Sequence, residues 1–473
     1  MRNNLIYNTI IYSIANLLSK IINFLMLPLY TYYLSISELG RFDLVINTIT
    51  LLIPIITLHI SEATYRFLVE VEEDNVKEKE KIITNAFVGL MTNIIIGYIL
   101  IFIVFSFYFS SIKALEIFLW FILSFSNILF TFSQQIVRGL KKNKKFAISG
   151  IINSLLLALM NLIFLVMLKM GYKGLLLSNI ISYILSSIYL HATTNIIKYF
   201  NYRCIDFKIY RSLILYSIPL IPNLLSWWVI NFSDRLLISH YLGLKQNGIY
   251  AIANRFSTIL FFMTTVFNLA WQESAILSFK DKDKDIYYTQ VFNKYYKFLL
   301  SVVLLILPTI AFVIRFLLDD SYISALVVVP LLLYSVVFSS FSSFYGVAFQ
   351  SSKNTNEAVF SSIGAGIVNI FLNILFLPQI GIIGAGISTL LSFGFMWLIR
   401  IYQTRKYFNI KINIKEFTYL VAINLVFIAI FYSYQTIYIE IALFTCSIII
   451  FFYFNRYLVI KILKNILDFQ RRS

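Results

Sequence analysis

Fourteen long apolar runs govern everything this chain can become. They lie near 8–32, 42–60, 82–109, 114–136, 146–168, 174–193, 212–232, 247–270, 298–318, 323–349, 358–378, 381–400, 417–434 and 437–455. Each approaches the roughly 20 residues that an α-helix needs to cross about 30 Å of hydrocarbon. A backbone in lipid must satisfy its own N–H and C=O groups, so runs of this length imply helices. Charged residues make up 13% of the chain and the mean hydropathy is +0.81, whereas soluble domains carry roughly 25% charge. The fold class expected is therefore all-α: a polytopic membrane protein of about 14 transmembrane helices.

The connections between the runs alternate in charge. Taking every second connection, one set holds thirty Lys and Arg and the opposite set seven, with Lys20 and Arg255 inside runs. By the positive-inside rule this places both termini and the basic loops in the cytoplasm. A net charge of +17 would suggest nucleic acid in a soluble protein; here it is the topology signal, and no nucleic-acid partner is expected. The first run is long, is interrupted by Lys20 and lacks a small-residue cleavage site before Pro28, so no cleavable signal peptide is expected.

A sequence pattern repeats. Tyr33, Leu34, Gly40 and Phe42 match Tyr241, Leu242, Gly248 and Tyr250 at a constant spacing of 208 residues, and Gly171-Tyr-Lys-Gly174 matches Gly381-Ile-Ile-Gly384 at 210. Two nearly equal spacings argue for duplicated halves, and duplicated halves in an apolar chain suggest a transporter whose central site faces either side as the halves rock. The lobes expected are residues 1–200 and 201–410, pseudo-symmetric and of six helices each, followed by two C-terminal helices and a basic tail over 411–473.

Ionisable groups inside the runs are the candidate site residues. A cation at mid-bilayer costs at least about 2.5–3.5 kcal/mol, so Lys20 and Arg255 should face water, a carboxylate or an anionic ligand. On repeat-related helices they could converge on one cavity, Arg255 forking onto phosphate oxygens and Lys20 acting as a point charge. Asn254 and Asn16, their near neighbours, are candidate substrate contacts; packing between helices is the plainer reading for the other intramembrane amides, Asn369 and Asn373 among them. Glu62 and Arg66, four residues apart, suggest an internal salt bridge at an inner gate. Asp234 and Arg235 are read as ending the seventh span on the outer side, and Arg138 as ending the fourth on the inner side, as gate residues. The polar turn Gly243 to Gly248 is read as the joint between two helices, and most Phe and Tyr as packing residues.

Cys204 and Cys446 have no metal or redox spacing, and His59, His191 and His240 stand far apart. No Ser/His/Asp set, acidic DXD-like motif or nucleotide-binding Gly-rich loop is visible, so catalytic residues, metal and cofactor are all expected to be none.

The stretch from Pro219 to Phe256, with Asp234-Arg235-Leu-Leu-Ile and Tyr241-Leu-Gly-Leu-Lys-Gln-Asn-Gly-Ile-Tyr250, resembles the polysaccharide-biosynthesis flippases, often called Wzx, of the multidrug/oligosaccharidyl-lipid/polysaccharide exporter superfamily. So do Leu39-Gly40-Arg-Phe, Ala63-Thr-Tyr-Arg66 and Arg138-Gly before a Lys-rich loop. The resemblance implies a non-enzymatic flippase in the bacterial inner membrane. It would move undecaprenyl-diphosphate-linked oligosaccharide to the outer leaflet for O-antigen or capsule assembly, alongside a polymerase and chain-length machinery. Two rivals stand beside it. A drug or metabolite antiporter driven by H⁺ or Na⁺ would want a cavity rich in carboxylates, and a membrane polymerase or ligase would want a large catalytic outer loop.

Overall fold

The computed structural model describes residues 18–72, 74–108, 114–352, 356–434 and 436–470. Among these residues every regular element is helical. Twelve helices are long and apolar enough to cross a membrane, so the chain is a multi-pass membrane protein. It divides into two compact units, Met1–Trp228 and Val229–Ser473, described separately below.

The first unit contains α1 (Leu27–Tyr33), α2 (Ile36–Ile56), α3 (Ile60–Glu70), α4 (Val76–Tyr108), α5 (Ala114–Gly139), α6 (Asn143–Asn161), α7 (Gly171–Thr194) and α8 (Phe207–Ser217). The start of α2 is fixed by a capping box: Ser35 Oγ accepts from the Glu38 N–H at 3.2 Å and Glu38 accepts from the Ser35 N–H at 3.0 Å. The core is aliphatic, built on Ile60, Ile83, Leu90, Ile136 and Leu190. A π-helical turn, Leu162–Met167, lengthens the end of α6 before α7 doubles back.

Two expectations change here. The second run is not one helix to residue 60. Leu58 and His59 take positive φ, at 48° and 54°, and break it into α2 and α3. The seventh run begins as α8, passes through a 3-10 turn containing Pro219 and continues as α9 (Ile221–Tyr241). Proline favours such a break because it supplies no N–H. The helix persists nine residues beyond the expected end at 232, because nothing in Ser-Asp-Arg-Leu-Leu-Ile stops a helix, and it closes only at Gly243 with φ +85°.

The second unit takes in the later part of α9, α10 (Leu244–Leu277), α11 (Lys284–Leu317), α12 (Val329–Ser351), α13 (Asn356–Ile380), α14 (Ile382–Thr404), α15 (Ile414–Ser433) and α16 (Ile437–Gln470), the last broken at Asn455. The joint before α10 is shorter than expected. The helix starts at Leu244, and Gly248 is buried inside it. This unit's core is aromatic: Trp271 stacks on Phe344 at 4.1 Å and Phe267 on Tyr295 at 3.8 Å.

Both units turn their helix pairs in the same way. Gly171 and Gly381 lead into α7 and α14 with φ of +55° and +62°, a backbone region that costs a side chain but not glycine. Three residues on, a Cβ at Gly174 would sit 3.2 Å from the Phe164 carbonyl, and one at Gly384 would sit 2.8 Å from that of Phe376. The repeat read from the sequence thus reappears as backbone approach at the same joint in each unit.

Candidate functional site

Polar groups buried in apolar helices collect at one point of the second unit. Asp234, on α9, is 1% exposed. Its Oδ1 accepts from Asn373 Nδ2 at 2.7 Å, and its Oδ2 accepts from Tyr250 Oη at 2.6 Å and faces Thr389 Oγ1 at 2.6 Å. Four helices, α9, α10, α13 and α14, meet on one carboxylate. Asn369 joins from the turn before Asn373, accepting from Ser233 Oγ at 2.8 Å and donating to Thr389 Oγ1 at 3.4 Å. Arg235, 3% exposed, lies over the rings of Phe232 at 5.0 Å and Tyr250 at 5.9 Å.

The proton inventory of this junction decides what it can do. Thr389 Oγ1 also lies 3.0 Å from the Ala385 carbonyl, and a hydroxyl has one proton to give. With an ionised Asp234 the proton points to Oδ2. With a protonated Asp234 the carboxyl donates to Thr389, which donates onward to Ala385. Both states are hydrogen-bonded, so a proton can be held or released without orphaning a polar group. Asn373 Oδ1 is buried with no hydrogen-bond partner among the described residues.

A second buried charge lies elsewhere in this unit. Arg400, on α14 and 4% exposed, donates from Nε to Ser361 Oγ at 3.0 Å, from Nη1 to the Ser342 carbonyl at 3.0 Å and from Nη2 to Ser362 Oγ at 3.1 Å. All three acceptors are neutral. Gly346 leaves room for the guanidinium, since a Cβ there would meet Nη1 at 2.7 Å. Arg400 and Arg235, counted from the sequence in connecting loops, are therefore inside helices. The charge asymmetry of the remaining loops is unaffected.

The first unit holds an ion pair of another kind. Arg41 pairs with Glu116 at 2.5 Å and lies over the Tyr172 ring at 5.2 Å, while Glu38 accepts from the Tyr172 N–H at 3.0 Å. Its buried interior pair is neutral: Asn161 donates to Tyr30 Oη at 2.8 Å.

The residues expected from sequence fall in both units. Lys20 is exposed on a helical stretch over 18–25 of the first unit, whereas Arg255 and Asn254 are half-buried on α10 of the second. Asn16 lies outside the described residues. The Glu62–Arg66 bridge does not form: Arg66 pairs with Glu70 one turn on, and Glu62 accepts from Gln135 Nε2 at 3.1 Å. One turn separates both Glu62 and Glu70 from Arg66, and tertiary packing against α5 takes Glu62 away. Arg138 stacks on Tyr65 at 4.0 Å. Asp234 and Arg235 do not end a helix but lie within one, α9.

Sequence reasoning passed over Tyr250 and Thr389 as site residues and left Asn369 and Asn373 as packing amides. One signal was available, since Asn369 and Asn373 are four apart and so share a helix face.

Comparison with known proteins gives the same picture of the fold. The solved structure of the lipid II flippase MurJ in an inward closed conformation superimposes with a TM-score of 0.67 at 18% identity, covering 95% of this chain and 100% of that one. An inward-facing multidrug resistance MATE family transporter of the MOP superfamily gives 0.64 at 14% identity, over 83% and 96%. A MOP superfamily transporter from Pyrococcus furiosus gives 0.57 at 14% identity, over 84% and 95%. An uncharacterized membrane protein of Methanocaldococcus jannaschii is 26% identical over 209 residues, a match that takes in 42% of this chain and 40% of the length of that relative. The sequence model described as polysaccharide biosynthesis protein matches residues 5–272, more than half of the chain. With the MOP fold beneath it, this chain belongs to the polysaccharide biosynthesis protein family.

Proposed function

We propose that the chain is a flippase that carries a lipid-linked oligosaccharide, with the lipid joined through a diphosphate, from the inner to the outer leaflet of a bacterial cytoplasmic membrane. The observation that carries this reading is the duplicated helix joint at Gly171 and Gly381 in a member of a polysaccharide biosynthesis family. Two halves built alike can rock about a site between them. On this reading residues 1–200 and 201–410 act as the lobes, with 411–473 appended and both termini cytoplasmic. Lys20 and Arg255 meet the diphosphate, while Asn254 and Asn16 meet sugars. O-antigen and capsule units are both suitable cargo, and a polymerase with its chain-length machinery would receive the product.

Asp234 supplies the coupling in this proposal. A proton or small cation entering the Asp234 junction would change the hydrogen bonding of four helices at once, which is how an ion gradient would bias one state of the lobes. An ion-coupled antiporter for other cargo is the second reading, and the same carboxylate favours it. The test is expression in a strain lacking its own repeat-unit flippase, followed by leaflet assignment of the lipid-linked oligosaccharide. Outer-leaflet substrate and restored surface polymer are the expected result. Substrate held on the cytoplasmic side in several donor sugar pathways, despite good expression, would move antiport to the front.

A further inference from the structure

An open groove of about 830 Å³ runs along the first unit, outside the site described above. Its walls are apolar, with Phe87 and Met91 of α4, Phe125 and Leu129 of α5, Ile188 of α7 and Phe200 beyond it. The groove ends at residues 191–200, where α7 terminates in Asn195 with φ +53° and a 3-10 turn, Ile196–Tyr199, follows. Basic side chains converge on that end. Lys142 Nζ donates to the Thr194 carbonyl at 2.9 Å and Lys145 Nζ donates to that of Thr193. Lys198 stands exposed on the 3-10 turn, its Nζ 4.8 Å from the Tyr199 ring centre. That turn is tied to the start of α4, where Lys79 lies, by the bond from Thr84 Oγ1 to the Tyr199 carbonyl at 3.2 Å.

We infer that this groove is a binding site for an anionic phospholipid of the bilayer, its acyl chain lying along the apolar wall and its phosphate held at the lysine cluster. Capping of α7 explains one N–H each of Lys142 and Lys145, but an ammonium has three, and Lys198 does no capping. Burial, with Lys145, Lys198 and Lys79 all bearing on it, holds the Lys142 amine below its ordinary value. Lys142, Lys145 and Lys198 thus bring like charges to one end of the groove, and an anion relieves them. Basic pockets between membrane helices beside an apolar surface suit a phosphate headgroup, and a lysine near such a surface contributes about 1 kcal/mol, close to five-fold in affinity. The site is separate from the diphosphate contact proposed for Lys20 and Arg255, and its occupant is a resident lipid rather than the cargo.

The test uses the full chain in nanodiscs or detergent, with phosphatidylglycerol and phosphatidylcholine of equal chain length, and reads lipid retained by native mass spectrometry. The wild type should retain phosphatidylglycerol preferentially, in a salt-dependent manner. Lys198→Gln should cut that preference about five-fold and Lys198→Glu further, while Ile188→Trp, which fills the groove, should lose both lipids. Lys282→Gln, in an exposed loop of the second unit, should change nothing. Because the Lys198 side chain is exposed and its ammonium caps no backbone group among the described residues, its variants should melt as the wild type does. Equal retention of the two lipids, or a preference unmoved by both Lys198 variants, would overturn the inference. A short-chain isoprenyl diphosphate that displaces phosphatidylglycerol at equal concentration would reassign the groove to the cargo and overturn it too.

Discussion

The helix joints at Gly171 and Gly381 share a backbone and differ in what they bury. In the first unit Arg41 pairs with Glu116, Glu38 accepts from the Tyr172 N–H, and a buried neutral pair joins Asn161 with Tyr30. In the second unit a carboxylate lies in the interior with Tyr250, Asn373 and Thr389 around it. At the 208-residue spacing, Asp234 corresponds to Met26 and Tyr250 to Phe42. Both copies therefore keep the mechanical part, a tight antiparallel turn, while among the described residues the carboxylate met by four helices lies in the second. Burying that carboxylate among apolar helices carries a cost, which makes the second unit the place to look for coupling.

Asp234→Asn is the sharpest way to break this comparison. It keeps the shape of the side chain but removes the titratable group, and it turns an acceptor toward the Tyr250 and Thr389 hydroxyls into a donor or a poorer acceptor. Leaflet assays should show transport lost, with the protein still inserted and melting within a few degrees of the wild type. Met26→Asn, at the matching place, should leave transport measurable. Equal losses from both would make the two joints equivalent.

Arg400 offers a test of the same charge asymmetry through stability. Arg400→Lys keeps the charge but cannot hold Ser361, Ser362 and the Ser342 carbonyl together as a planar fork does, so about 2–3 kcal/mol should be lost, at 1–3 kcal/mol for a buried unsatisfied group. Arg400→Met, which removes the charge and fills the space, should cost less, as apolar replacement of buried charge often does. Thermal unfolding in detergent ranks the two, and the reverse order would mean that the charge itself is needed.

The glycines sharpen the mechanical half of the comparison. Gly384→Ala pushes a methyl to 2.7 Å from Phe376 backbone, whereas Gly174→Ala meets its nearest atoms at 3.1–3.2 Å. Overpacking costs typically about 1–3 kcal/mol, so Gly384→Ala should fall at the upper end and Gly174→Ala at the lower. Equal melting shifts would show that the extra room left by the π-helical turn of α6 is not felt.

The smallest effect expected lies at the surface of the second unit. Asp319 caps the 3-10 segment Asp320–Val327 by accepting from the Ser321 hydroxyl and N–H at 2.5 and 3.0 Å. These bonds hold its carboxyl below the usual range. Its contribution is therefore present above the unfolded-state value, near pH 4, and fades as pH falls through the lowered folded value. Asp319→Asn should flatten the acid limb of the unfolding curve slightly below pH 4 and leave it unchanged at pH 7.

Much of the fold was legible because its cause is local. Hydropathy over 20 residues marks a span, and a repeated Gly-x-x-Gly marks a joint. The candidate site was not legible in this way. Asp234 was noticed but placed at a helix end, since an Asp-Arg pair is a common stop in an apolar run and nothing within a few residues revealed that the helix continues to Tyr241. Glu62 and Arg66 had the right spacing for an ion pair, yet Glu70 had the same spacing on the other side.

The sequence by itself determined that this chain is built of membrane helices, that its halves repeat and that its basic residues gather at alternate loops. Only the tertiary structure decided which buried polar groups meet. Asn373 and Thr389 reach Asp234 from 139 and 155 residues away, distances over which no periodicity carries information. In an apolar interior such groups must find one another, and the partner is chosen by how helices pack rather than by any residue near it in the chain.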